Sequence, residues 1–214
     1  MKLTVLLPIL FMLLPMEAFS QLLEPKYIAG QDYALLEDPV PTRDKSKVEV
    51  VEVFWYGCSH CFSFEPLIKS WKAKQPEDVD FWQSPAMWNG RMKLHAQAFY
   101  TAESLGVMDT MHQPLFNALI LERNPLSNQK QIADLFEKNG VDKEKFNKAF
   151  KSFGVTSKVK QADARARAYK ISGTPEVIVN GKYRVTARLA KGQGKMFDII
   201  DFLVNKERAT LASK

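Results

Sequence analysis

The segment from Val48 to Pro66 constrains the fold of this chain more than any other. Val48–Trp55 is rich in β-branched and aromatic residues, which favours a strand, and Gly57 ends it. Cys58-Ser59-His60-Cys61 then opens a helical segment. A C-x-x-C pair between a strand and a helix is typical of a redox-active dithiol rather than of two unrelated cysteines.

The position of the two cysteines predicts different chemistry for each. The first N–H groups of a helix have no intrahelical partner and the helix dipole is positive there, so an anion is favoured. Cys58, at the helix start, is therefore expected to be a thiolate at neutral pH. Cys61, one helix turn further on, is expected to be less exposed and to resolve the mixed disulfide that Cys58 forms. His60 adds a donor or a positive charge beside them.

Two other uses of the cysteines stay open at this point. A zinc site needs more ligands than two cysteines, and the histidines at 60, 95 and 112 do not have the usual H-x(3–5)-H spacing. A structural disulfide suits a secreted protein, although such bridges usually close longer loops. We therefore expect no metal, and no cofactor other than the Cys58–Cys61 pair.

The N-terminus has the pattern of a signal peptide over residues 1–20. Lys2 provides a positive charge, and Leu3–Pro15 is an apolar stretch too short to span a bilayer. Ala18 and Ser20 are small residues in the positions that precede cleavage, here before Gln21. No later segment is long and apolar enough to cross a membrane. The mature protein is therefore expected to be exported into an oxidising compartment.

Composition limits the remaining functional classes. Hydrophobic residues make up 46% of the 214 residues, which is enough for a substantial core. The net charge is +6, but basic and acidic residues are interspersed along helical segments. We interpret most of these charges as solvated helix faces and expect no nucleic-acid partner.

Two glutamates near the cysteines are candidates for proton transfer or for tuning the pKa of the dithiol. Glu52 interrupts an apolar strand, where a carboxylate is costly unless it is paired or protonated. It either faces solvent at the rim of the sheet or is a buried proton acceptor. Glu65 shares a helix face with Cys58 and Cys61 by i+3 and i+4 spacing, but a plain surface role is equally compatible with its position.

Residues 88–162 have helical periodicity and no strand signals. Asp109, Asn128 or Ser127, and Asp142 are predicted to cap successive helices. A helix with an apolar phenylalanine face is predicted to end at Gly154, and a basic helix to follow from Thr156. His95 and His112 are expected to have packing roles.

Strand character returns after Gly173. Glu176–Val179 and Lys182–Thr186 flank Asn180-Gly181, which is a strong hairpin signal. A last helix is predicted from about Gly192, with a tail from Lys206 that frays.

Three motifs in this order resemble the thioredoxin superfamily, and specifically the DsbA-type thiol oxidases of the bacterial periplasm. They are Phe54-Trp55-Tyr56-Gly57-Cys58-Ser59-His60-Cys61, Gly173-Thr174-Pro175 and Val179-Asn180-Gly181-Lys182-Tyr183. The resemblance covers essentially all of the mature chain. It implies an α/β thioredoxin fold with an inserted all-helical domain, divided as residues 21–87 and 163–214 for the thioredoxin domain and 88–162 for the insertion.

The resemblance also implies roles for particular residues. Thr174 and Pro175 are expected to be joined by a cis bond and, with Ser59, to line a substrate groove beside the dithiol. Glu52 and Glu65 correspond to buried or near-site acids of the family. Three features depart from the common pattern: Ser59 replaces a frequent proline, Thr174 replaces a frequent valine, and residues 80–83 offer no clear counterpart of a lysine that pairs with the buried acid in some members.

The function expected from these observations is donation of the Cys58–Cys61 disulfide to reduced or unfolded exported proteins in the periplasm. The resemblance implies an inner-membrane protein that reoxidises the pair, and we expect a monomer. An isomerase or reductase is the alternative within the same chemistry. A peptide-binding, chaperone-like module that uses the groove without turnover is the alternative from another class.

Overall fold

A computed structural model describes residues 25–212 of the chain. The predicted signal peptide and its cleavage site lie outside the described residues. Within them, five strands form one mixed sheet in the order β1-β5-β4-β2-β3. The strands are β1 (Ala34–Leu35), β2 (Val48–Phe54), β3 (Val79–Pro85), β4 (Glu176–Val179) and β5 (Tyr183–Thr186). Only β2 and β3 are parallel among these pairs, and β1 lies at one edge of the sheet.

Seven helices surround the sheet in the described part of the chain. Of these, α1 (Ser59–Lys72) connects β2 to β3, and α7 (Gln193–Ala212) follows β5. The other five lie between β3 and β4, as the periodicity of this region predicts: α2 (Gly90–Ser104), α3 (Met108–Ile120), α4 (Gln129–Lys138), α5 (Lys143–Phe150) and α6 (Phe153–Ala168).

Strand β2 is buried along its whole length because helices cover both faces of the sheet. Val48 and Val50 pack with residues of α1 and α7, whereas Val51 and Val53 pack with the helices between β3 and β4. Side chains alternate between the two faces of a strand, so Glu52 lies on the face that α1 covers. The nearly continuous apolar character of β2 is explained by this double burial.

The hairpin between β4 and β5 forms as its Asn-Gly signal predicts. Asn180 and Gly181 both have positive φ, at 50° and 62°. Gly181 is also required by close packing, since a Cβ there would lie 1.9 Å from the carbonyl oxygen of Val40. The turn therefore packs closely against Val40, whose N–H donates to the carbonyl oxygen of Gly181 at 2.8 Å.

Two of the predicted helix boundaries in the middle of the chain are wrong. Gly154 does not end a helix: Ser152 caps α6 by accepting from the Val155 N–H at 3.2 Å, and Phe153 is 88% exposed. Asp109 lies in the first turn of α3 and does not cap it. A serine two residues before Gly154 offers a local cap, and this outweighs the glycine as a stop signal.

The last turns of α7 do not fray, contrary to expectation. Glu207 is buried and its carboxylate accepts hydrogen bonds from Asn180, Lys182 and Tyr183 of the hairpin. Arg208 pairs with Asp78. Tertiary contacts of this kind order a C-terminal segment that local sequence alone leaves free.

The division into domains stays a prediction, and its boundary between residues 162 and 163 falls inside α6. No helix among residues 25–212 is long and apolar enough to span a bilayer.

Candidate active site

Cys58 is the N-cap residue of α1. Its Sγ accepts the Cys61 N–H at 3.3 Å and lies 3.3 Å from the carbonyl oxygen of Thr174, to which only the protonated form of Cys58 can donate. The hydrogen bond from the Cys61 thiol lowers the pKa of Cys58 most, and burial acts in the opposite direction. Further bonds from the Thr174 side chain and from the N–H groups of Cys61 and His60 bring that pKa to about 5. Cys58 is therefore a thiolate at neutral pH.

Cys61 has the opposite character. It is completely buried, and burial raises the pKa of its thiol far above the ordinary value. The hydrogen bond that it gives to Cys58 adds to this rise. The two cysteines are not joined by a disulfide in this structure. One helix turn thus contains an ionised, accessible sulfur and a protonated, inaccessible one, which is the asymmetry that the helix N-terminus predicts.

Ser59 and His60 lie between the two cysteines on the exposed first turn of α1. The carbonyl oxygen of His60 accepts a hydrogen bond from Gln193 Nε2 at 2.8 Å, which connects the start of α1 to that of α7. The contribution of His60 to the pKa of Cys58 comes from its peptide N–H. A role for the His60 imidazole stays a prediction.

The Thr174–Pro175 bond is cis, as the family resemblance implies. It places Thr174 against Cys58, although 116 residues separate them in the chain. Pro175 is buried and leads directly into β4. The use of Thr174, Pro175 and Ser59 as a substrate groove stays a prediction that this arrangement supports.

Glu52 is fully buried on β2 and not at a solvent-facing rim. Burial is the main cause that raises its pKa to about 8, and the charges of Glu65 and Cys58 raise it further. A hydrogen bond from Gln83 Nε2, at 2.9 Å to Oε2, acts in the opposite direction, while Oε1 has no partner. Glu52 is therefore largely protonated at pH 7 and can exchange a proton close to the dithiol.

Glu65 is joined to Glu52 through Gln83, whose amide nitrogen donates to both carboxylates, at 3.0 Å to Glu65. His112 Nε2 lies 3.1 Å from Glu65 Oε1, and its Nδ1 lies 2.9 Å from the Tyr56 hydroxyl. Glu65, Gln83 and His112 also line a surface cavity of about 240 Å³. This polar chain connects the buried acid to solvent on the side of α1.

Gln83 and His112 were not among the site residues predicted from sequence. Gln83 stands opposite Glu52 in the parallel register of β2 and β3, where neighbouring side chains share a face. A prediction of that register would have found it as the residue that pairs with the buried acid. His112 gives no such signal, because its approach to Glu65 depends on how α3 packs against α1.

Trp55 occupies the space beside the active-site turn. Its indole lies where a Cβ at Gly57 would be, at 2.3 Å, so only glycine fits before Cys58. His95 Nδ1 accepts from Trp55 Nε1 at 3.0 Å, and the two rings are stacked. His95 has a packing role, as expected, and it joins the helices between β3 and β4 to the active-site turn.

The described residues contain no group of three or more histidine, cysteine or acidic side chains arranged to hold a metal ion.

Replacing Glu52 with glutamine is expected to stabilise the protein at neutral pH. The folded-state pKa of Glu52, about 8, lies above the unfolded value. The free-energy cost of keeping this carboxyl group uncharged in the folded protein is therefore absent below pH 4. This cost grows as pH rises towards 8 and is then constant. Urea unfolding at pH 7 should show a gain on the order of 2 kcal/mol for Glu52→Gln, which shrinks at pH 5.

A matched control is Glu49→Gln on the same strand. Glu49 is equally buried, but it accepts the Arg43 N–H at 3.0 Å and lies near the Arg43 guanidinium, so its loss is expected to destabilise. Equal effects of the two substitutions, or a gain for Glu52→Gln that does not depend on pH, would contradict the assignment of Glu52.

The sheet order, the cis-proline and the ionised cysteine at the start of α1 define a thioredoxin-fold protein with a redox-active dithiol. The model of the DSBA-like thioredoxin domain matches residues 67–198. The thiol:disulfide interchange protein DsbA of Pseudomonas aeruginosa is 42% identical over 183 residues, which cover 86% of this chain and 87% of that protein. DsbA of Azotobacter vinelandii is 41% identical and covers 84% of each chain.

Solved structures agree with these relatives. The crystal structure of Pseudomonas aeruginosa DsbA covers 88% of this chain and 97% of its own, with a TM-score of 0.84 and 42% identity. That of DsbA from Xylella fastidiosa covers 86% of this chain and 98% of its own, with a TM-score of 0.79 and 32% identity. The chain belongs to the DSBA-like thioredoxin domain family, and it is a thiol:disulfide oxidoreductase.

Proposed function

We propose that this protein donates its Cys58–Cys61 disulfide to exported proteins during oxidative folding. The observation that carries the proposal is the pKa of about 5 for Cys58 beside a buried, protonated Cys61. A stabilised thiolate makes the reduced protein the favoured form and therefore makes the disulfide a strong oxidant. In its oxidised form, such a pair readily transfers its disulfide to substrate thiols.

The reaction follows from this asymmetry. A substrate thiolate attacks Sγ of Cys58, forms a mixed disulfide, and releases Cys61 as a thiolate. Cys61 then takes a proton, because burial makes its thiolate costly. A second substrate thiolate attacks the substrate sulfur of the mixed disulfide and releases Cys58, whose low pKa makes it a good leaving group. The substrate leaves oxidised, and the pair is left reduced, with Cys58 as a thiolate and Cys61 as a thiol.

Glu52 is proposed to supply and take up the proton of Cys61. With a pKa of about 8 it is protonated at pH 7 when Cys61 leaves as a thiolate, and its carboxylate can accept the proton when the pair is reoxidised. The chain through Gln83, Glu65 and His112 offers a route to solvent. Glu65 has the lesser role of raising the pKa of Glu52.

The location and partners are proposed from the signal-peptide pattern and the family. The substrates are reduced or unfolded exported proteins in the periplasm, and an inner-membrane protein reoxidises the pair. The protein acts as a monomer, with residues 88–162 as an inserted helical domain. The groove beside Pro175, bordered by Thr174 and Ser59, holds the substrate chain.

Oxidative refolding tests this function. The oxidised protein is expected to restore the activity of a reduced, disulfide-containing enzyme within minutes. The reduced protein is expected to catalyse insulin reduction poorly, because a dithiol with a stabilised reduced form is a weak reductant. Thr174 favours the alternative of an isomerase, since it departs from the common valine. Efficient rescue of a scrambled substrate without net oxidation would support that alternative, and binding without thiol exchange would support the chaperone-like module.

A further inference from the structure

A cavity of about 420 Å³ opens next to the carboxyl end of β3. Its lining comes from the segment after β3, the first turn of α2, one side of α6 and the approach to the cis-proline. The lining residues that matter are Met87, Trp88, Lys93, Lys160, Arg167 and Ile171. None of them belongs to the polar chain behind the dithiol.

This cavity lies within reach of a substrate bound to Cys58. Ile171 is three residues before Thr174, so their Cα atoms are at most about 11 Å apart. Thr174 is itself 3.3 Å from Sγ of Cys58. On the other side of the cavity, Trp88 is two residues after Ala86. The Ala86 N–H donates to the carbonyl oxygen of Phe54, at the end of the strand that leads to Cys58. An extended chain covers such distances in three or four residues.

The cavity has an apolar wall. Met87 is nearly buried, whereas Trp88 is 54% exposed with its large ring at the opening. Val159 and Ile171 complete this wall. A half-exposed tryptophan beside methionine and isoleucine suits an aromatic or aliphatic side chain, because such rings gain from apolar contact and methionine adapts to different shapes.

The rim of the cavity is positively charged. Three cations and one acid line it, and Asp163 pairs with Arg167. Lys93 and Lys160 are exposed and have no ion pair among residues 25–212. The rim therefore has two positive charges without an ion-pair partner among the described residues, and these charges complement an acidic group.

The basic residues of α6 are divided between two sides of the helix. Lys160 and Arg167 are seven residues apart, which is two helix turns, and both line the cavity. Lys158 and Arg165 have the same spacing on another side, where Lys158 pairs with Glu103. The sequence predicts a basic helix here and interprets most charges as solvated helix faces, and the structure shows that one row of these charges lines the cavity.

We propose that this cavity is a subsite for the substrate polypeptide, which takes an aromatic or aliphatic side chain next to an acidic residue about three or four positions from the reactive cysteine. The proposal rests on the proposed function and adds a substrate preference to it.

The test uses two-cysteine peptides oxidised by the full-length mature protein. One peptide has Phe-Asp three residues from a cysteine on its N-terminal side, a second has it on the C-terminal side, and a third has Ser-Asn there. We expect one of the Phe-Asp peptides to have a kcat/KM about tenfold above that of the Ser-Asn peptide. Higher salt should reduce that advantage, because exposed charges are screened.

Variants separate the cavity from the general charge of the protein. K93Q/K160Q and W88A are each expected to lower the Phe-Asp advantage about three- to fivefold. K158Q is the matched control, since it removes a lysine of the same helix on another side, and it should retain the advantage. K93E/K160E should instead prefer a peptide with Phe-Lys at the same position.

Oxidation of dithiothreitol provides the reference reaction. All variants should oxidise this small dithiol at the rate of the unchanged protein, because it does not reach the cavity. Lack of any Phe-Asp advantage, its persistence in K93Q/K160Q and W88A, or an equal loss in K158Q would overturn the subsite. Failure of the unchanged protein to oxidise either dithiothreitol or peptides would instead contradict the proposed function.

Discussion

Cys61→Ala is expected to accumulate mixed disulfides between Cys58 and substrate proteins, whereas Cys58→Ala is expected to form none. In the complete protein, the buried Cys61 can also attack Sγ of Cys58 from within the same helix turn, which reverses the first step and releases the substrate reduced before its second thiol has reacted. Intramolecular attack of this kind has a very large effective concentration. Its loss should lengthen the life of the mixed disulfide at least about 100-fold.

The measurement is non-reducing electrophoresis of an exported-protein extract after acid quenching. Each single-cysteine variant is first activated as a mixed disulfide with a small thiol, so that both begin in the same oxidation state. High-mass bands that disappear with reductant should form with Cys61→Ala alone. Substrates trapped through Cys61 in the Cys58→Ala variant would show that the roles of the two sulfurs are reversed.

The second large effect is on stability: the reduced protein is expected to be more stable than the oxidised protein at pH 7. Hydrogen bonds stabilise the negative charge on Cys58 in the reduced protein. The sulfur of the disulfide is neutral, so the oxidised protein lacks this stabilisation. Since Cys58 is only about half buried, solvent screening lowers the gain, and we expect about 1–2 kcal/mol at pH 7. The disulfide opposes this gain weakly, since it closes a very short loop.

The pH dependence of this difference has a definite sign. The folded-state pKa of Cys58, about 5, lies below the unfolded value of about 8.5. The stabilisation is therefore fully present above pH 8.5, declines as pH falls, and is lost once pH passes through 5. Glu52 changes this only slightly, because burial raises its pKa in both redox forms and the charge of Cys58 is the smallest of the causes.

Thermal or urea unfolding of both redox forms at pH 4.5, 7 and 8.5 measures this difference. Thr174→Val removes a side-chain hydrogen bond to Cys58. It should lower the difference in unfolding free energy between the reduced and oxidised forms at pH 7 by about 1 kcal/mol. His60→Ala keeps the peptide N–H, so it measures what the imidazole adds. A more stable oxidised form at pH 7 would indicate a reductase or a structural bridge.

Local sequence was sufficient for the elements whose causes are local. The strand that leads into C-x-x-C, the caps at Asn128 and Asp142, and the Asn180-Gly181 turn depend on residues a few positions apart, and all of them are present. Family motifs added the cis bond before Pro175. The errors at Gly154 and after Lys206 arose where a second cap or a distant partner outweighed the local signal.

The dithiol at a helix start can be predicted from residues 48–66 alone, and so can the low pKa of Cys58, because helix polarity acts within one turn. The surroundings of that dithiol, in contrast, depend on the folded arrangement of distant segments. That arrangement placed Thr174 against Cys58, set Gln83 opposite Glu52, and formed a cavity with a basic rim between α2, α6 and the segment after β3. These contacts join residues far apart in the chain, and strand register and helix packing, which no local pattern encodes, bring them together.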